Sequence, residues 1–175
     1  MTLKSKQSMK VFIEITGYIV IPLLFIITCI FSTKMHMNIT GMLNDKKYQI
    51  YAYIICILLF LWMNYVLHGI YGSFKKNIWI LDLLISCALF IPYILDNPFV
   101  SFFHVASAYA AFVIFSIMIV RLCFNHKYLD MLYIAGIVTA FLLAMTVGGI
   151  TALSECIIAI DASIILTSLY TLKNR

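Results

Sequence analysis

Charge is what this sequence has least of. Only 11% of its 175 residues are Asp, Glu, Lys or Arg, while 64% are hydrophobic and the mean hydropathy is +1.05. Soluble domains carry roughly 25% charged residues, so an ordinary soluble enzyme is excluded at the outset. Nucleic acid is excluded as a partner as well, because the net charge of +5 is spread over termini and short connections and forms no basic face. Polar stretches long enough to fold by themselves are also missing. The expectation is one integral membrane domain over residues 1–175, with no catalytic module outside the bilayer.

Cysteine spacing is the next absence. Cys29, Cys56, Cys87, Cys123 and Cys156 lie singly within apolar runs, with no C-x-x-C pair. They read as small buried hydrophobes, and a disulfide or redox role has little support. No H-E-x-x-H, G-x-S-x-G or phosphate-binding glycine loop is present either. Haem ligation needs two histidines at one depth, whereas His68 and His104 belong to opposite sides of the membrane. An intramembrane aspartyl protease needs two aspartates at matching depth, and Asp82 and Asp130 lie near one surface while Asp161 is central. The expectation is therefore a non-enzymatic protein without metal or cofactor, a lipid-modifying activity being the hardest chemistry to set aside.

What is abundant is apolar sequence. Six runs can be drawn, over about 11–31, 48–70, 78–95, 99–122, 129–149 and 151–172. The first follows the basic stretch KSKQSMK but is too long for a signal peptide and lacks a small-x-small cleavage site, so it is read as a retained span. The weakest break is GGIT. Residues 129–172 are too long for one tilted helix crossing about 30 Å of hydrocarbon, and Gly148 and Gly149 are the natural place to turn. Positive residues then test the count. With both termini in the cytoplasm, nine fall inside (Lys4, Lys6, Lys10, Lys75, Lys76, Arg121, Lys127, Lys173, Arg175) and three outside (Lys34, Lys46, Lys47). The fold expected is an all-α polytopic bundle of six transmembrane helices in a bacterial cytoplasmic membrane. Pro22 and Pro92 fall within spans and predict kinks. The NIT at 38–40 matches a glycosylation pattern that matters only in a eukaryotic secretory cell.

Alanine divides the chain. Residues 1–99 contain only Ala52 and Ala88, while residues 100–175 contain ten. In the fifth span Gly136, Ala140, Ala144 and Gly148 recur at intervals of four, a small-residue stripe that admits a neighbouring backbone. The pattern predicts a compact sub-bundle of spans four to six, with spans one to three more peripheral. The partners it implies are membrane lipid and, through spans four to six, a second copy or another membrane protein.

Ionisable groups within the spans are the candidate site. An aspartate at mid-span costs about 2.5–3.5 kcal/mol on insertion scales, so such groups face protein or water. Asn64 and His68 share a face of the second span, with Asp82 at a similar depth on the third, which predicts a polar cluster towards the cytoplasm. His104 and Glu155 open the fourth and sixth spans and are within reach of each other on the outer side. An Arg121–Asp130 pair fits the inner surface. Asp161 stands apart, about ten residues from either end of its span, with no cation at its depth in any other span. It must be protonated, hydrogen-bonded to Ser or Thr, or open to a water-filled cavity or bound cation.

In size and six-span layout the chain resembles substrate-binding subunits of modular vitamin or metal importers, although its first span lacks their Ala-x-x-x-Ala coupling motif. That likeness is architectural only; the leading expectation, from the ionisable residues themselves, is a small permease or membrane transport subunit with a proton or cation site at Asp161, outer polar groups at His104 and Glu155, and an exit past Asn64, His68 and Asp82. The competing expectation is an immunity or accessory protein that meets a toxin or secretion partner through the Gly136–Gly148 stripe.

Overall fold

A computed structural model describes residues 3–33, 38–72, 76–91 and 97–174. These residues are helical almost throughout and contain no strand. The helices are α1 (Leu3–Ile15), α2 (Ile21–Thr33), α3 (Ile39–Asn44), α4 (Gln49–Tyr71), α5 (Lys76–Phe90), α6 (Pro98–Cys123), α7 (Lys127–Val147) and α8 (Ala152–Lys173). A π-helical turn, Thr16–Val20, joins α1 to α2, so the first three elements form one continuous rod.

Five helices are long and apolar enough to cross a bilayer: Gln7–Ser32 within the rod, and α4, α6, α7 and α8. They make this a membrane-embedded chain. The expected third span is the exception. The apolar run was drawn to residue 95, but α5 ends at Phe90 after 15 residues, about 22 Å of rise. Pro92 gives the physical reason, since proline cannot donate to a continuing helix and disfavours helical geometry in the residue before it. Pro92 itself, with its expected kink, and Lys34, Lys75 and Arg175 lie outside the described residues.

The chain divides into two compact units, Met1–Asn38 with Asn125–Arg175, and Ile39–Phe124. In the first, α8 packs on α7, on α2, on the π turn and on α1. It is the least apolar of the five long helices and the most buried. The second unit holds α3 to α6, with α5 and α6 closely packed and α4 against both α3 and α5. Spans four to six are therefore divided between the two units. The fourth apolar run, α6, belongs to the unit of α4 and α5, while the first run joins the last two. Small residues signalled close backbone approach but did not say whose backbone approaches.

Local chemistry explains the joints. Pro22 has no N–H for the Tyr18 carbonyl, and the chain accommodates this by widening one turn, so that the Ile21 N–H bonds the Thr16 carbonyl five residues back. Beyond it, Ile21, Phe25, Thr28 and Ser32 form the buried stripe of α2. Thr28 Oγ1 donates to the Leu24 carbonyl at 2.7 Å and Ser32 Oγ to the Thr28 carbonyl at 2.9 Å, so both hydroxyls are satisfied inside apolar packing. The GGIT break is a true turn. Gly148 adopts φ 79°, the left-handed geometry that glycine tolerates, and the Gly149 N–H closes on the Ala144 carbonyl at 2.9 Å. Thr151 and Ser154 then form a capping box that starts α8. Asn38, just before α3, donates to the Ile150 carbonyl of this turn at 3.3 Å.

A buried carboxylate against a glycine

α8 carries Asp161 into the interior of the first unit, where the residue is 8% exposed. Its Oδ2 is buried and has no hydrogen-bond partner among the described residues. The side chain rests on Gly136 of α7. A Cβ placed on Gly136 would lie 2.7 Å from Asp161 Cγ and 3.1 Å from Asp161 Cβ, and would overlap Oδ2 outright. The carboxylate thus fills the notch that the missing side chain leaves. Ala140, one turn further along α7, is 2% exposed, Ala144 is half-buried and Gly148 lies in the turn. Gly136 of the stripe and the buried acid are two sides of one helix contact.

Of the three environments available to Asp161, a hydrogen bond to Ser or Thr is absent among the described residues. Ser163 Oγ donates to the Ile160 carbonyl at 2.8 Å and Thr167 Oγ1 to the Ser163 carbonyl at 2.6 Å, so the neighbouring hydroxyls serve their own helix. An unpartnered ionised carboxylate in such a place is strongly unfavourable, which leaves a proton or a cation to complete it.

Towards the other end of α8 the polar groups cross to the first rod. Tyr18 Oη and Ser168 Oγ share a hydrogen bond of 2.9 Å, and Thr171 Oγ1 donates to Glu14 Oε1 at 3.1 Å. These pairs border an open cleft of about 570 Å³, whose polar lining includes Tyr18, His126, Lys127, Ser168 and Thr171. Ser168 stands seven residues beyond Asp161, about 10 Å along the helix. The sequence offered one weak signal for this cleft, the hydroxyls three apart at 168 and 171. The π turn that presents Tyr18 could not be read beyond the presence of Pro22.

The other sequence candidates divide between the two units. His104 is 7% exposed in α6, and its Nδ1 donates to the Ile91 carbonyl at 2.8 Å. It closes the carbonyl end of α5 and holds the α5–α6 hairpin. Glu155 sits in the first turn of α8, where a carboxylate favours the helix dipole, and it belongs to a different unit from His104. Asn64, His68 and Asp82 all lie in the second unit, with half-buried side chains. No hydrogen bond joins the three among the described residues, and Asp82 Oδ1 is buried without a partner. Asp130 Oδ1 is in the same position, and Arg121 is assigned to the other unit. Among the described residues no group of three or more His, Cys, Asp or Glu side chains is placed to hold a metal ion.

No family model matches this chain, and no curated protein or solved structure matches it.

Proposed function

We propose that this is a small non-enzymatic membrane permease or transport subunit in which Asp161 binds a proton or small cation at mid-membrane. One observation carries the reading: Asp161 Oδ2 is buried in the least apolar spanning helix with no partner to offset its charge. The proposed topology has six crossings with both termini cytoplasmic, on the nine-to-three distribution of positive residues. In that frame the cleft at Tyr18, Ser168 and Thr171 opens to the cytoplasm, and the hydroxyl pairs Tyr18–Ser168 and Thr171–Glu14 supply the inner part of a polar route. They take the place expected of Asn64, His68 and Asp82.

The test needs no knowledge of a further substrate. Purified protein in liposomes that enclose a pH-sensitive dye is given an imposed membrane potential, and proton entry is followed. Wild type should acidify the lumen faster than protein-free vesicles, and Asp161→Asn should return the rate to that background at equal reconstitution. Equal rates for wild type and Asp161→Asn would remove the carboxylate from the mechanism.

The immunity or accessory reading is favoured by one different feature. α7 is the least buried of the five long helices, with Leu132, Ile134, Val138, Phe141, Leu142 and Met145 exposed. Its stripe is turned to α8, so a toxin or secretion partner would meet this outer face. Substitutions of Val138 and Phe141 that abolish protection against a toxin or capture by a partner, with proton entry intact, would select that reading.

A further inference from the structure

Cys29 on α2 and Cys156 on α8 are far apart in sequence and adjacent in the first unit, where α2 packs along α8. The Cys156 thiol lies beside the Cys29 thiol, and neither cysteine is in a disulfide. Their exposures differ: Cys156 is 4% exposed and Cys29 is half-buried. Each lies about a turn from the end of its helix, at the end of the unit that holds the Gly148 turn. Apolar burial explains a single cysteine well, but not two neighbouring thiols on packed helices from opposite ends of the chain.

We propose that Cys29 and Cys156 are a redox pair that closes to a disulfide, tying the first membrane helix to the last. The oxidant class is a small-molecule disulfide. The more accessible Cys29, as thiolate, attacks one sulfur of that reagent, breaking its S–S bond, releasing one thiol and forming a mixed disulfide. Cys156 then gives up its proton and attacks the Cys29 sulfur, forming the Cys29–Cys156 bond and releasing the second thiol. Two protein thiols become one disulfide, and one reagent disulfide becomes two thiols. In the proposed topology this end of the bilayer faces outward, the more oxidising side. The bond would fix α2 against α8 five residues before Asp161.

The native sequence supplies its own assay. Cleavage after methionine places each of the five cysteines on a different fragment: Cys29 on 10–35, Cys56 on 43–63, Cys87 on 64–118, Cys123 on 119–131 and Cys156 on 146–175. Membranes holding the intact protein are treated with dithiodipyridine, a membrane-permeant aromatic disulfide, then cleaved and analysed by mass spectrometry. Fragments 10–35 and 146–175 should be recovered joined, less two hydrogens, and should separate on reduction. In Cys156→Ser, Cys29 should instead retain half of the reagent as a stable mixed disulfide. Recovery of the two fragments unjoined, each with its own adduct, would overturn the pairing. So would joining to the fragments of Cys56, Cys87 or Cys123 in comparable yield, or thiols that stay unmodified in the folded protein and react only after denaturation.

Discussion

Adding one methyl group at Gly136 tests the contact on which the site is built. Carbon atoms pack at about 3.5–4.0 Å, whereas a Cβ at Gly136 would stand 2.7 Å from Asp161 Cγ and 3.1 Å from its Cβ. Rotating the carboxylate relieves the first overlap but not the second, because the Cβ moves only with the backbone of α8. α7 and α8 must therefore part by some tenths of an ångström along a close-packed face, and overpacking of this kind costs about 1–3 kcal/mol. Asp161→Ala removes Cγ and both oxygens while leaving the milder Cβ contact. In that background the cost of Gly136→Ala should fall below about 1 kcal/mol, giving a coupling of about 1–2 kcal/mol between the two sites. Equilibrium unfolding of the four variants in mixed micelles, followed by helical ellipticity, measures it. A Gly136→Ala penalty under about 0.5 kcal/mol, or one that is the same in both backgrounds, would refute the fit of Asp161 into the Gly136 notch.

Two further substitutions separate the other structural claims. A Cβ at Gly148 or Gly149 meets nothing within 4 Å, yet Gly148 alone has φ 79°. In the same unfolding assay, Gly148→Ala should cost about 1 kcal/mol through left-handed strain, and Gly149→Ala should stay within about 0.5 kcal/mol of wild type. His104→Ala strands the Ile91 carbonyl at the end of α5 and should cost about 1–3 kcal/mol, with His104→Gln, which keeps a donor, recovering part of the loss. An unchanged unfolding midpoint for His104→Ala would remove the histidine from the hairpin.

The length of apolar runs made five spanning helices legible, because a helix rises by a fixed amount per residue and the bilayer sets how many residues are needed. The same logic separated α7 from α8 at two glycines in an unbroken apolar stretch. The third run is the one it did not settle: α5 is described only to Phe90, short of the 95 expected from hydropathy. Grouping failed for a different reason. In lipid, every helix has an apolar surface, so hydrophobicity does not rank which helices belong together, and the small residues that do favour contact name only one side of it. The expected union of spans four to six rested on alanine content and on the small-residue stripe of the fifth span. The actual first unit is organised by features with little compositional trace: the π turn before Pro22, the hydroxyls at 168 and 171, and the thiols at 29 and 156.

The site was half legible for the same reason. Depth along a span singled out Asp161, and periodicity singled out Gly136, since each is a property of one helix. Their meeting is a property of two, and no spacing within either helix contains it. Glu155 and Asp161 also show why helical angle matters more than sequence proximity: six residues apart, the two carboxylates point about 120° from each other. Asp161 is consequently held by the element that can approach it most closely, a glycine backbone, which fills space but supplies no side-chain donor. A helix contact built only for stability would be better served by an apolar residue of similar size at 161, because an unpartnered acid in that notch destabilises the packing it completes. The presence of an acid among the buried residues of the least apolar long helix is the physical argument for a chemical task at Asp161, and proton entry through Asp161→Asn is where that argument meets measurement.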